Sequence, residues 1–89
     1  MFAIHDIAPK TPVHVLVIPH QHVEELSISD SADLAIASKC LAAAPVIASE
    51  LNLDATGYRL VVNQGAHSGQ EIPHFHLHIL GGRQLNAMG

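Results

Sequence analysis

The sequence predicts an α+β fold: a mostly antiparallel sheet carrying one main helix, in a single domain over residues 1–89. Three observations predict it. Residues 74–80, His-Phe-His-Leu-His-Ile-Leu, alternate histidine with large apolar side chains, and a period of two is the strand signal. Val13–Ile18 is a run rich in β-branched residues, the side chains that suit a pleated surface. Between these stretches Leu34, Ala37, Leu41, Ala44, Ala48 and Leu51 recur every three or four residues, as on one face of a helix.

Met1 to Ile7 is short, apolar and β-compatible, and Ala8-Pro9-Lys10-Thr11-Pro12 interrupts it, because each proline fixes φ and lacks an N–H. Val13–Ile18 follows, closed by Pro19. Its apolar continuity predicts a central strand covered on both faces, with His14 as the exception. A connector with His20, His22, Glu24 and Glu25 leads to the helix, for which Ser29 or Asp30 is the candidate cap and Asp33 the first-turn acid. A second apolar row, Ile36, Cys40, Ala43 and Ile47, predicts that one side of the helix meets the sheet and another meets a second copy. Pro45 is expected to kink or split the helix near Leu41. Asn52 to Gly57 ends it, Tyr58–Asn63 reads as the third strand, and the last two strands are expected to be antiparallel neighbours.

Composition narrows the classes of function. Eight histidines, four Lys plus Arg and eight Asp plus Glu give a formal charge of −4 with histidine neutral. Nothing basic runs along the chain, which argues against a nucleic-acid partner. Hydrophobic residues make up 48%, too many for a disordered chain and rich for a small monomer. Cys40 is the single cysteine, so no internal disulfide forms and a reducing compartment, the cytoplasm, is expected. No apolar run reaches the ~20 residues that cross a membrane, and the N-terminus lacks the form of a signal peptide.

The chemistry concentrates in the alternating stretch. His74, His76 and His78 are expected to share one strand face, with Phe75, Leu77 and Ile79 on the other. Imidazoles on a covered face need hydrogen-bond partners or a use. The preceding loop, Asn63 to Glu71, is polar and glycine-bearing, so its amides around Ser68 to Gln70 are candidates for facing an anion. A histidine with one nitrogen free and the other proton held can attack phosphorus, and a neighbouring imidazole can move the leaving group's proton near neutral pH. That chemistry needs no metal or other cofactor. Histidines two apart, with His14 or His67 nearby, also suit zinc, and this alternative stays open on the residues alone.

The residues resemble the histidine triad (HIT) family, Hint-like branch. His74 to Leu80 is similar to the family's His-x-His-x-His signature followed by two apolar residues. Phe2 to Pro9, His14 to Pro19, Gly57 to Asn63, Gly69-Gln70-Glu71 and Gly81-Gly82-Arg83 are similar to Hint-branch segments as well. The resemblance implies a HIT-like homodimer that hydrolyses purine nucleoside phosphoramidates or aminoacyl-adenylates through a covalent nucleotidyl-histidine. It implies His76 as nucleophile, His78 at the phosphate and leaving group, His74 supporting His76, and His14 as a further active-site histidine. It implies ribose and base contacts at Asp6 and Ile7, and phosphate and ribose contacts at Asn63, Gly69, Gln70 and Glu71. No metal, nucleic-acid partner or membrane is expected. Hint-branch proteins carry further N-terminal residues before the stretch matching Phe2, so the expectation is either a fragment of a longer protein or a shortened variant with a more open base pocket. Pro73, often aromatic in that branch, removes one possible backbone donor. The alternatives are a nucleotide-binding or interaction module with little turnover, and a histidine-based zinc domain.

Overall fold

The computed structural model describes residues 1–88. The chain forms β1 (Phe2–His5), β2 (Val13–Ile18), α1 (Ser31–Glu50), β3 (Tyr58–Val61) and β4 (Leu77–Gly81), with short 3-10 turns at Leu26–Ile28 and Ala66–Ser68. The strands make one sheet in the order β1-β2-β4-β3, antiparallel throughout. The expected class and the pairing of the last two strands are both found.

The helix starts where its cap chemistry places it. The Asp30 carboxylate accepts from the Asp33 amide at 2.9 Å, satisfying one of the four free N–H groups of the first turn. Pro45 neither splits nor ends α1. It stands on the exposed side, where the Leu41 carbonyl that it leaves without a helical partner can turn to water. The helix ends with Asn52 at φ 61°, the Leu53 amide reaching back to the Ala48 carbonyl at 3.0 Å, a left-handed stop made by asparagine.

The buried stripe of α1 is Ala37, Cys40, Ala44 and Ala48. Small residues let the helix axis approach the sheet closely, and they meet Val15, Val17, Phe75, Leu77 and Ile79 in one core. Two expectations shift here. Leu34 and Leu41, assigned to the core row, are exposed, while Ile36 and Ile47, assigned to a partner, pack against the core. The reason is angular: the stripe centres between the two predicted rows, so each row gives up its outer edge. The helix alone is also long and apolar enough to cross a membrane, its best window having a mean hydropathy of 1.4, which counting uninterrupted apolar runs did not register. In this fold its small-residue stripe is taken up by the sheet.

Only one face of β2 is covered by the helix. Val15 and Val17 point into the core, whereas His14 and Leu16 floor an open cleft on the opposite face.

Strand β4 is shorter than the alternation predicts. Regular pairing begins at Leu77, and the chain bends through residues 72–74. Pro73 cannot donate to a ladder. The Phe75 amide bonds to the Val23 carbonyl in the connector after β2, and the His74 carbonyl is taken by the His76 ring rather than by a strand. The apolar half of the alternation still holds, with Phe75, Leu77 and Ile79 all buried.

Candidate active site

The register sets the site. Leu16 of β2 and Val61 of β3 both stand opposite His78, and His14 stands opposite Leu80. Cross-strand partners share a face, so these side chains rise together on the face away from α1. They line a cleft of about 340 Å³ that also takes in Asp6, Asn63, Gly69, Glu71 and His76. That volume lies at the low end of small-molecule sites.

Hydrogen-bond chemistry assigns the tautomers. A backbone carbonyl only accepts. The His76 Nδ1 therefore carries its proton and donates to the His74 carbonyl at 2.8 Å, which leaves the Nε2 lone pair free. An amide N–H only donates. Lys10 N–H bonds to His14 Nδ1 at 3.1 Å, so the His14 proton is on Nε2. That proton is donated to His78 Nδ1 at 2.9 Å. The His78 proton is thereby pushed to Nε2, which is buried and has no partner among the described residues. One fixed amide orients two imidazoles in sequence and delivers an unsatisfied donor beside His76, whose ring lies 4.9 Å away.

The electrostatics agree. Burial, with lesser repulsion from His76 and His14, lowers the His78 pKa from 6.5 to about 4, against a smaller opposing pull from Asp6. Burial likewise lowers His14, Asp6 raising it and the Lys10 charge lowering it further. Both rings are therefore neutral at pH 7, as a single shared proton requires: a second proton on His14 would have to sit on Nδ1, against the Lys10 N–H.

That constraint also bears on metal binding. One donor atom each from Asp6, His14 and His78 lies within 4.8 Å of the others, compact enough to suggest a cation. Yet His14 Nδ1 accepts from the Lys10 amide, so a metal on Nε2 would require an imidazolate. Ordinary metal-ligating histidines instead donate their second N–H to an acceptor. The donor set fits proton positioning better than it fits zinc.

Asp6 does two things. One carboxylate oxygen accepts from the Ala8 amide at 2.8 Å, an aspartate turn. The other lies 3.5 Å from His14 Nε2. The turn-forming and site-facing readings of this residue both hold.

Of the residues singled out from sequence, the cleft brings together Asp6, His14, Asn63, Gly69, Glu71, His76 and His78. Three stand apart. The His74 ring is turned from the cleft: Nε2 donates to the Pro19 carbonyl at 3.1 Å, and the His22 ring stacks on it at 5.1 Å and 9°. His74 reaches the chemistry through its own carbonyl. Gln70 braces the loop, accepting from the Gly65 amide at 2.8 Å and donating to the Ile72 carbonyl. Ile7 is fully exposed. The Ser68 and Gly69 amides, expected to face an anion, are taken by the Gly65 and Ala66 carbonyls of the 3-10 turn. The Gln70 and Glu71 amides have no acceptor among the described residues.

Sequence reading missed Lys10, Leu16, Val61, Ile72 and Leu80 in the cleft. Leu16 and Leu80 were findable, being two residues from His14 and His78 on the same faces. The Lys10 amide had no signal in the sequence, because any residue except proline supplies one.

Comparison with known proteins agrees with the geometry. A family model described as "HIT domain" matches residues 1–85. An uncharacterized HIT-like protein of Buchnera aphidicola is 40% identical over 84 residues, covering 94% of this chain and 75% of that one. The crystal structure of a HIT family hydrolase from Legionella pneumophila superposes with a TM-score of 0.88 at 39% identity, covering 94% and 75% of the two chains. A histidine triad nucleotide-binding protein from Candida albicans does so with a TM-score of 0.73 at 27% identity, covering 98% and 70%.

Proposed function

The chain belongs to the HIT domain family, and on that premise we propose that it is a nucleotide-binding hydrolase that cleaves purine nucleoside 5′-phosphoramidates or aminoacyl-adenylates through a nucleotidyl-His76 intermediate. The observation that carries the reading is the pair of assigned nitrogens. His76 offers a lone pair, with its other proton held by a carbonyl, and His78 offers an unsatisfied N–H beside it.

The roles follow from those atoms. His76 Nε2 attacks phosphorus and the bond to the leaving group breaks. The new imidazolium keeps its Nδ1 proton on the His74 carbonyl, which stabilises the positive charge. His78 Nε2–H donates to a phosphate oxygen or to the departing atom, a bond made only when substrate is present. A departing amine takes the His78 Nε2 proton as its bond to phosphorus breaks, and the water of the second step returns a proton to the same nitrogen. Water then attacks phosphorus, releases His76 and yields the nucleoside monophosphate. In this reading the Gln70 and Glu71 amides, which have no acceptor among the described residues, bond phosphate, and Asp6 bonds ribose hydroxyls. No step requires a metal.

Mixing the protein with adenosine 5′-phosphoramidate in EDTA and weighing the intact chain tests this. A transient AMP adduct, lost in His76→Ala together with turnover, supports the reading. Turnover that persists in His76→Ala overturns the nucleophile, and turnover that needs added zinc overturns the metal-free chemistry. Nucleotide binding with no turnover in the unmodified protein would assign a binding module instead.

The reading includes a homodimer. The exposed flank of α1, Leu34 and Leu41, replaces Ile36 and Ile47 as its proposed contact. Leu41→Asp should sediment as a monomer under conditions in which the parent is a dimer.

A further inference from the structure

We propose that Lys10, supported by Arg83, recognises a second anionic group on the substrate, separate from the phosphate at which the reaction occurs. This rests on the nucleotide reading above and extends it to substrate class.

The first observation is where the positive charge lies. The chain has four Lys and Arg against eight Asp and Glu; of the four, Arg59 and Arg83 line a separate hollow and Lys10 stands at the cleft itself. The Arg83 guanidinium donates to the Lys10 carbonyl at 3.4 Å. Arg59 stands opposite Leu80, which stands opposite His14, so Arg59 and His14 lie in one row on the site face about 10 Å apart. The second observation is that these cations hold backbone carbonyls, where they hold anything, rather than carboxylates. Among the described residues the ion pairs within 4.0 Å are His14 with Asp6 and His22 with Glu24, and none involves a lysine or an arginine. Asp6 and Glu71 line the same cleft, but among the described residues no carboxylate pairs with Lys10 within 4.0 Å, which leaves its permanent charge for an anion from outside.

The third observation separates this anion from the reacting phosphate. Lys10 is held at both ends of its peptide: its N–H is on His14 Nδ1, its carbonyl on Arg83. His14 in turn bonds His78 through its other nitrogen. The stem of Lys10 is thus rooted a whole imidazole and two hydrogen bonds away from His78. The reacting phosphate already has His78 Nε2–H and the loop amides. The Lys10 ammonium, a mobile point charge on a four-carbon stem rooted at a fixed backbone, serves a group further along the ligand. Two sources share this chemistry: a carboxylate on the leaving group, or a phosphate on the ribose 2′ or 3′ oxygen.

Paired substrates distinguish them. One arm compares adenosine 5′-phosphoramidates of glycine and of glycinamide. The other compares phosphoramidates with a 3′-phosphate and with a 3′-hydroxyl. In one arm the unmodified protein should favour the charged member by about fivefold in kcat/KM, the size of a partly exposed ion pair. Lys10→Gln should erase most of that ratio and Lys10→Glu should invert it. The arm that responds names the source. Equal kcat/KM within both pairs, or a preference indifferent to both Lys10 variants, overturns the inference. Turnover of the glycinamide, 3′-hydroxyl substrate by the unmodified protein decides the hydrolase reading separately. Should that turnover be absent, calorimetric binding of AMP against adenosine 3′,5′-bisphosphate, and of the 5′-glycinamide adduct against the 5′-glycine adduct, reads the same charge ratios. Loss of the ratio in Lys10→Gln then supports the inference, and a ratio of one in the parent overturns it.

Discussion

The two faces of the sheet are built by opposite rules. On the helix face, Val15, Val17, Leu77 and Ile79 are buried against the alanine stripe of α1, and nothing there needs a partner. On the other face, along the same strands, His14 and His78 turn their rings into the cleft, and one of their nitrogens is buried without an acceptor among the described residues. An unsatisfied buried donor costs about 1–3 kcal/mol. Stability is therefore concentrated on one face, and the other keeps a donor ready for an anionic or hydrogen-bond-accepting ligand. The division is possible because a strand's side chains alternate. One residue's choice need not compromise its neighbour's.

The comparison breaks most visibly at its two extremes. His76→Ala should reduce turnover by on the order of 10⁴-fold or more while leaving the urea midpoint almost unchanged, because the His76 ring lies on the open face. Ile79→Ala should do the reverse: a loss of about 3 kcal/mol from a cavity in the core, with full activity per folded molecule. Urea titration and steady-state rates on both variants check this. A His76→Ala protein that unfolds as readily as Ile79→Ala would mean that the two faces are not energetically separate.

How far each face is legible in the sequence follows from the same asymmetry. The helix face is periodic, so Phe75, Leu77 and Ile79 were legible as one apolar row, and the error was confined to angle: Ile36 and Leu41 each fell on the wrong side of a stripe centred between them. The site face is not periodic in its chemistry. His76, His78 and His14 were legible because histidine is a poor core residue and because their motif resembles a family. His74 was placed in the right stretch, yet its ring does not enter the cleft, since alternation assumes a regular strand and Pro73 delays regular pairing until Leu77. The element that orders the site, the Lys10 amide, is invisible in any sequence because the backbone supplies it.

Acid sharpens the contrast with a smaller effect. In the fold His78 titrates at about 4, below its ordinary 6.5, because of burial first and neighbouring histidines second. The unfolded chain therefore binds a proton that the fold refuses as pH falls from 6.5 towards 4, and stability declines across that window. Above 6.5 both states are neutral at this residue and it contributes no slope. Comparing urea midpoints at pH 7 and pH 5 should show a loss in the parent that is reduced in His78→Gln. An equal loss in both proteins would place the acid sensitivity elsewhere. AMP should blunt the decline, since its phosphate favours the protonated ring and binds only the folded state.

The finest test is on the helix face, where the packing leaves no slack. Gly81 closes β4 next to Leu80 of the cleft, and a methyl group built on it would lie 3.0 and 3.1 Å from the two terminal carbons of Leu53. Leu53 is itself buried just beyond the end of α1, so it must move by a few tenths of an ångström for Gly81→Ala to fit. Overpacking of this kind costs about 1–2 kcal/mol, and the obstacle is a side chain, so it should be removable. Adding Leu53→Val to Gly81→Ala should cost less than the two single changes summed, a non-additivity that contact predicts and that distant sites do not show. Turnover should stay near the parent value in all three variants, because the strain is released on the face that does no chemistry. A drop in rate that tracks the lost stability would show instead that Leu53 and the cleft move together, and that the sheet transmits between its faces what its alternation otherwise keeps apart.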